Sequence, residues 1–199
     1  MNNELHTGPL GEASQYAEGY SPERLFAMPR LEGRQAVGLM VLPEWHGQDV
    51  WTGFEFSWLN EKGKPKVAVL RLTVPARSSH IVESKSMKLY LNGFAQTRFD
   101  SVSAVSERLT KDLGSAFGGE VGVELLALAD SSLDVGELQG ECLDELDVAI
   151  TDYQRNPDLL ALTASVGSDD VSVTQELTTH LFRSLCPVTA QPDWASVLV

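Results

Sequence analysis

A cysteine that precedes a proline near the end of the chain is the first group able to do covalent chemistry. Proline disfavours helical geometry in the residue before it, so Cys186 is expected in an irregular, accessible stretch. A thiolate there could attack an electrophilic carbon, and Asp193, seven positions on, could return a proton. The alternative is a buried structural cysteine beside a loop. Arg183 is the only cation close in sequence, so activation of the thiol would have to come from residues distant along the chain.

A second group, Glu83-Ser84-Lys85-Ser86, falls where a strand pattern gives way to a helix pattern. The exposed amides of a first helical turn can hold an anionic or carbonyl oxygen of a ligand. Glu83 could accept hydrogen bonds from ring N–H and amino groups, and Lys85 could meet a phosphate. The alternative is an ordinary helix start, to which Ser and Glu are equally suited.

The other reactive residue types form no recognisable set. The four histidines are scattered, with no short spacing that joins one to either cysteine, so the sequence predicts no metal site. Cys142 lies in an acidic stretch, 141–147, which favours a structural role over a reactive one. Because neither a Walker loop nor a Gly-x-Gly-x-x-Gly motif occurs, a nicotinamide cofactor would have to bind outside a Rossmann frame.

Two β-type runs precede the Glu83 segment. Residues 51–59 and 67–74 alternate in polarity, and turn-forming residues 60–65 lie between them. This pattern predicts an antiparallel hairpin, with one face of the second strand formed by Ala68, Leu70, Leu72 and Val74.

Helical periodicity begins at Ser86, with an apolar stripe formed by Met87, Tyr90, Leu91 and Phe94. A second helix is predicted from a serine-rich start at residues 101–106 to an end near Gly114, with the stripe Val105, Leu109 and Leu113. A further strand is predicted over 121–128. The order β-β-α-α-β predicts an α+β fold, with an antiparallel sheet and helices on one face.

The C-terminal part allows two interpretations. A strand over 159–166, a turn at 167–170 and a returning strand over 171–182 would form a second hairpin. The competing helix would place Leu177, Leu181 and Leu185 on one face, but the β-branched threonines of this stretch favour the hairpin.

A last strand is expected to begin within residues 195–199. We therefore divide the chain into a lead-in segment, 1–36, a first module, 37–155, and the beginning of a second module, 156–199. The lead-in segment has no sustained periodicity and is expected to be ordered only if it docks on the body. Residues 156–199 are too few to support a separate core, so they must pack on other structure.

Composition excludes several classes of function. The chain has 199 residues, with 15 Lys and Arg against 28 Asp and Glu, and a formal net charge of −13. Such a charge repels a phosphate backbone, so no direct nucleic-acid partner is expected, whereas a small purine or anion could still occupy a local pocket. No apolar run approaches the roughly 18 residues of a membrane span, and no secretory signal is evident. With only two cysteines, these features predict a cytoplasmic protein.

The two reactive groups lie in motifs that resemble one family. The stretch from Glu83 to Asn92, continued by Phe94 and 96–99, resembles the signature of 7-cyano-7-deazaguanine reductase, the NADPH-dependent nitrile reductase of queuosine biosynthesis. Residues 186–189 and 191–194 resemble its second motif. The Glu83 motif precedes the cysteine, an order that resembles the long, two-module bacterial form. The resemblance runs from about Leu39 to the C-terminus.

The resemblance implies a tunnelling fold, here one complete module plus the start of a second, that assembles as a homodimer. It implies a small-molecule deazapurine substrate contacted by the backbone and side chains of Val82, Glu83 and Ser84, and NADPH contacted by Ser84 and Lys85. Cys186 would add to the substrate nitrile as a covalent thioimide, and Asp193 would donate a proton. Two hydride transfers from NADPH would then give the primary amine. Partial burial of Asp193 would favour the protonated acid that this role needs.

Two features depart from the family pattern. Gly93 and Ala95 stand where the family usually has Ser and Asn, which predicts a local packing change. The long form also continues beyond the position of Val199 into a module that supplies a His-Glu substrate contact and a basic cofactor contact. The alternative function is therefore a truncated, non-catalytic remnant that binds a deazapurine or a partner subunit. A third alternative, a relative of pterin enzymes of the same fold such as GTP cyclohydrolase, would require zinc.

Overall fold

The computed structural model describes residues 19–39, 46–133, 136–154, 156–160, 174–186 and 189–199. The chain divides into two compact units, residues 1–134 and 135–199, and each is described by itself. The boundaries between the lead-in segment, the first module and the second module, predicted after residues 36 and 155, stay predictions. Across these described ranges, no helix is long and apolar enough to cross a membrane.

In the first unit, the described residues combine helices with two small sheets. Its elements in chain order are β1 (Ala27–Pro29), α1 (Arg30–Ala36), β2 (Gln48–Leu59), β3 (Pro65–Pro75), β4 (His80–Val82), α2 (Ser84–Asn92), α3 (Val102–Phe117) and β5 (Gly122–Leu126). Short 3₁₀ turns lie at Pro22–Arg24, Gly93–Gln96 and Ser131–Leu133. The mixture of helices and antiparallel strands agrees with the predicted α+β class.

The main sheet of this unit has the antiparallel order β2-β3-β5. β2 and β3 form the predicted hairpin. The predicted inner face of β3 is confirmed, because its side chains are all buried: Ala68, Leu70, Leu72 and Val74. Val69, on the opposite face, is buried as well. The register shifts between Gly53 and Phe56, which marks a bulge in β2.

Two helices bury their apolar stripes in the same core cluster as this face of the sheet. The predicted stripe after Ser86 is confirmed in α2, with Phe94 in the following 3₁₀ turn. The prediction that the second helix ends near Gly114 is wrong by about one turn. Gly118, whose φ is 68°, adopts the left-handed conformation that terminates α3, and Gly114 stays inside the helix.

Aromatic rings form the centre of this core. The ring of Phe94 is fully buried, and its centroid lies 5.3–5.4 Å from the centroids of four other rings, those of Tyr20, Phe56, Tyr90 and Phe99. The Tyr90 hydroxyl donates a hydrogen bond of 2.9 Å to Asp112 of α3. Burial raises the pKa of Tyr90 well above its usual range, so the phenol stays protonated and the contact persists at neutral pH.

The described part of the lead-in segment docks on this body. β1 pairs antiparallel with β4, and neither strand is evident from alternation because each has only three residues. The Tyr20 hydroxyl donates to Asp112, and Arg30 of α1 forms an ion pair with Asp49 of β2. The segment is therefore a structural part of the first unit from residue 19 onward.

The described residues of the second unit form a three-stranded sheet. Its strands are β6 (Glu141–Cys142), β7 (Leu177–Leu185) and β8 (Pro192–Leu198). β6 pairs in parallel with β7, and β7 pairs antiparallel with β8. No strand was predicted from the sequence at the position of β6.

The strand interpretation of the C-terminal part is confirmed over residues 177–182, and the competing helix is wrong. The stretch 161–173, with the predicted turn, lies outside the described residues. Pro157–Leu159, at the start of the predicted first strand, forms a short 3₁₀ turn instead. The predicted last strand is confirmed as part of β8, which starts earlier, at Pro192.

Ser101→Ala should lower the free energy of unfolding by about 1 kcal/mol. The Ser101 hydroxyl caps α3 by accepting the N–H of Ala104 at 3.1 Å, and alanine would leave that donor without its side-chain acceptor. Chemical denaturation of the purified chain would measure the change. Ser103→Ala, an exposed serine one residue inside the same helix, is the matched control and should stay within about 0.5 kcal/mol. Equal effects of the two substitutions would contradict the capping role.

Candidate functional site

Glu83 is the N-cap of α2. Its carboxylate accepts the N–H of Lys85 at 2.7 Å and the N–H of Ser86 at 2.8 Å, and only 5% of the residue is exposed. Two of the helix amides that the sequence offered to a ligand are thus satisfied by Glu83 itself. The carboxylate oxygens retain further lone pairs, because together they have about four acceptor sites.

The lead-in segment holds Glu83 in place. The Glu83 N–H donates to the carbonyl of Phe26 at 2.9 Å, which continues the pairing of β1 with β4. The fully buried Ser86 hydroxyl donates to the Glu83 carbonyl at 2.7 Å and accepts the N–H of Phe26 at 3.0 Å. No sequence pattern predicts these contacts with Phe26, because Phe26 lies in a segment without periodicity.

The neighbours of Glu83 differ in exposure. Val82 is only 1% exposed and its side chain belongs to the core, so a ligand contact from Val82 would have to come from its backbone. Ser84 is exposed and Lys85 is half-buried. A hydroxyl and an ammonium at the positive end of the α2 dipole suit an anionic group such as a cofactor phosphate.

A cavity of about 360 Å³ lies along α2, which lines it from Ser84 to Leu91. Its walls are mostly apolar side chains of the sheet and of α2, with Thr52, Ser84 and Lys88 as polar members. Small-molecule sites have this size and this mixture of apolar walls with a few polar groups. The cavity therefore has room for a flat ring next to Ser84.

Cys186 and Asp193 lie on one β-hairpin. Asp193 is the register partner of Ser184, and Cys186 follows β7 two residues after Ser184. The Cys186 N–H donates to the carbonyl of Gln191 at 2.9 Å, and the N–H of Ala190 donates to the Cys186 carbonyl at 2.9 Å. Strand alternation therefore favours the same face for the thiol and the carboxylate.

The surroundings of these two residues match the sequence analysis in part. Cys186 is half-buried in the irregular stretch predicted before its proline, and neither it nor Cys142 is in a disulfide. Asp193 is exposed, so the expected partial burial is not observed in this chain. The predicted site residues lie in both units, Val82 to Lys85 in the first and the hairpin residues in the second.

Comparison with known proteins gives one consistent family. The model of the family described as "Nitrile reductase, 7-cyano-7-deazaguanine-reductase N-term" matches residues 16–125. An NADPH-dependent 7-cyano-7-deazaguanine reductase of Chromohalobacter salexigens is 49% identical over 197 residues, which are 98% of this chain and 69% of that protein. The enzymes of the same name from Burkholderia orbicola and Burkholderia multivorans are each 45% identical over 192 residues, 96% of this chain and 69% of theirs. On this evidence, the chain belongs to the 7-cyano-7-deazaguanine reductase family of nitrile reductases.

Proposed function

We propose that this chain uses NADPH to reduce the nitrile of 7-cyano-7-deazaguanine to the amine of 7-aminomethyl-7-deazaguanine. The product would serve the biosynthesis of queuosine, a modified nucleoside of tRNA. The observation that carries the proposal is its identity of 45–49%, along nearly its whole length, with relatives named for NADPH-dependent 7-cyano-7-deazaguanine reduction. The Glu83 and Cys186 segments provide the groups that this chemistry requires.

The covalent step falls to Cys186. Its S–H adds across the C≡N bond: sulfur bonds to carbon, the proton ends on nitrogen, and a thioimide forms with no atom lost. The thioimide C=N can be protonated and then accepts hydride more readily than the nitrile. Asp193, exposed on the strand that pairs with β7, is the proposed proton donor.

The Glu83 segment is assigned to binding. Two carboxylate lone pairs of Glu83 hold helix amides, and those that remain could accept the ring N–H and amino hydrogens of the deazapurine. The backbone of Val82 and the exposed Ser84 hydroxyl would complete these contacts. Because both Glu83 oxygens are already oriented by the helix, little conformational entropy is lost when a ligand binds.

Ser84 and Lys85 would hold the cofactor. Two NADPH molecules, bound one after the other, would each supply one hydride, and each hydride would be matched by one proton. Between the two reductions the C–S bond would break, so that Cys186 is regenerated as the thiol and the free imine is reduced to the primary amine. Lys85 belongs to the first turn of α2, where the helix dipole would add to the attraction of its ammonium for phosphate. We further propose a cytoplasmic location, because the two thiols suit a reducing compartment. We also propose assembly as a homodimer, which rests on the family resemblance alone.

Turnover tests the proposal directly. Incubation with 7-cyano-7-deazaguanine and NADPH should consume two NADPH per nitrile, and mass spectrometry should detect the aminomethyl product. A folded chain that is stabilised by the deazapurine, yet forms neither adduct nor amine, would overturn the reductase proposal and support the non-catalytic binding function.

Glu83→Gln should weaken deazapurine binding about tenfold, because a charged acceptor is replaced by a neutral one. The loss of one capping acceptor should also lower the free energy of unfolding by about 1 kcal/mol. Calorimetric titration in a Cys186→Ala background would isolate non-covalent binding. Glu107→Gln, at an exposed position of α3, is the matched control and should change neither quantity. Unchanged affinity with lowered stability would show that Glu83 acts as a helix cap alone.

A further inference from the structure

Three side chains of the second unit bring together a thiol, a carboxylate and an imidazole. One ligand atom each from Cys142, Asp144 and His180 lies within 4.8 Å of the other two. The parallel pairing of β6 with β7 sets Cys142 beside Thr178, and His180 follows two residues later along β7. Strand register thus joins residues that are far apart in sequence, which is why the spacing of histidines and cysteines predicted no metal site.

Neighbouring groups orient two of these side chains. The Thr179 hydroxyl donates a hydrogen bond to Asp144 Oδ1 at 2.7 Å, and the backbone N–H of His180 donates to Asp144 Oδ2 at 3.1 Å. His180 Nδ1 lies 2.6 Å from the Ser196 hydroxyl on β8. Such outer hydrogen bonds fix the orientation of metal ligands.

We propose that Cys142, Asp144 and His180 form a binding site for one zinc ion or a similar divalent transition metal. A thiolate and an imidazole select a borderline or soft metal, whereas Mg²⁺ and Ca²⁺ prefer oxygen ligands throughout. Three protein ligands and one water would complete a tetrahedral site. Since Nδ1 is engaged by Ser196, we expect His180 to ligate through Nε2.

Charge and access favour metal uptake at this position. On binding, the Cys142 thiol releases its proton to solvent, so one thiolate and one carboxylate balance the two charges of the metal. Glu141, Glu145 and Asp147 are exposed nearby in sequence, and the chain carries a net charge of −13, which raises the local concentration of cations. Cys142 and His180 are themselves exposed, so the ion reaches them without unfolding.

Titration with Co²⁺ of chain that has been stripped with a chelator tests the site. One equivalent should produce a thiolate-to-cobalt charge-transfer band in the near ultraviolet, and added Zn²⁺ should remove it. Cys142→Ser should abolish the band, and His180→Gln should weaken binding at least tenfold. Cys186→Ser and His46→Gln, which change the other thiol and an exposed histidine of the first unit, should leave it unchanged. A band that survives Cys142→Ser would overturn the proposal.

A second measurement needs no variant. Zn²⁺ should slow the alkylation of Cys142 by iodoacetamide and leave that of Cys186 unchanged, with the two thiols distinguished by peptide mapping. Protection of Cys186 alone, or of neither cysteine, would contradict the site. Neither measurement depends on turnover, and the proposed reduction uses no metal, so failure of one proposal is distinguishable from failure of the other.

Discussion

Cys186→Ala should abolish the covalent adduct with 7-cyano-7-deazaguanine completely. The proposed thioimide needs the sulfur atom, and alanine leaves no nucleophile at that position, so the expected loss is total rather than graded. In the unchanged chain, mixing with the nitrile should give a new thioimide absorbance band and raise the intact mass by one substrate molecule. Neither change should occur in the variant.

The exposed thiol of Cys142 provides an internal control for this experiment. Peptide mapping of the adduct should find the added mass on the peptide that contains Cys186 and none on the peptide that contains Cys142. An adduct on Cys142, or a band that persists in Cys186→Ala, would remove Cys186 from the covalent step. A folded chain without any adduct would remove the covalent step from this protein.

Phe94→Ala should lower the free energy of unfolding by about 3–5 kcal/mol, the largest effect on stability that we expect from one substitution. The Phe94 ring is fully buried and contacts rings from the lead-in segment, from β2 and from α2. Alanine would remove these contacts and leave a cavity that surrounding elements fill only in part. Thermal and chemical denaturation would measure the change.

Phe54 provides the matched control, because it is a phenylalanine of the same unit that is 64% exposed. Phe54→Ala should change the free energy of unfolding by no more than about 0.5 kcal/mol. If the two variants lost similar stability, the buried aromatic cluster would not be the main source of cohesion in the first unit.

Local patterns were sufficient to predict most regular elements. The hairpin of β2 and β3 was predictable because polarity alternates over long strands, and α2 and α3 because their apolar stripes repeat with helical spacing. The end of α3 was misjudged because two glycines, Gly114 and Gly118, could terminate it, and only backbone conformation distinguishes them. β1 and β4 were not predicted, because a strand of three residues is too short to show an alternation of polarity.

The sequence was sufficient to predict which residues belong to the candidate site, but not how their side chains are paired or exposed. Motif resemblance selected Glu83 and Cys186, whereas it could not reveal that Glu83 caps its own helix or that Asp193 is exposed. The cluster of Cys142 with His180 was missed because it depends on a parallel strand pairing, which no local pattern encodes. The tunnelling fold, the homodimer and the roles of the site residues stay predictions.

A gene shortened to begin at residue 37 would encode the whole Glu83 motif and yet lose the partner of β4. Without β1, the strand that ends at Val82 would be an unpaired edge, and the Glu83 N–H and the Ser86 hydroxyl would both lose their contacts with Phe26. The backbone that positions the Glu83 carboxylate as the N-cap of α2 would then be held by fewer hydrogen bonds. A shortened gene would therefore have to retain the strand at residues 27–29, with Phe26 before it, for the distant Glu83 motif to keep its backbone partners.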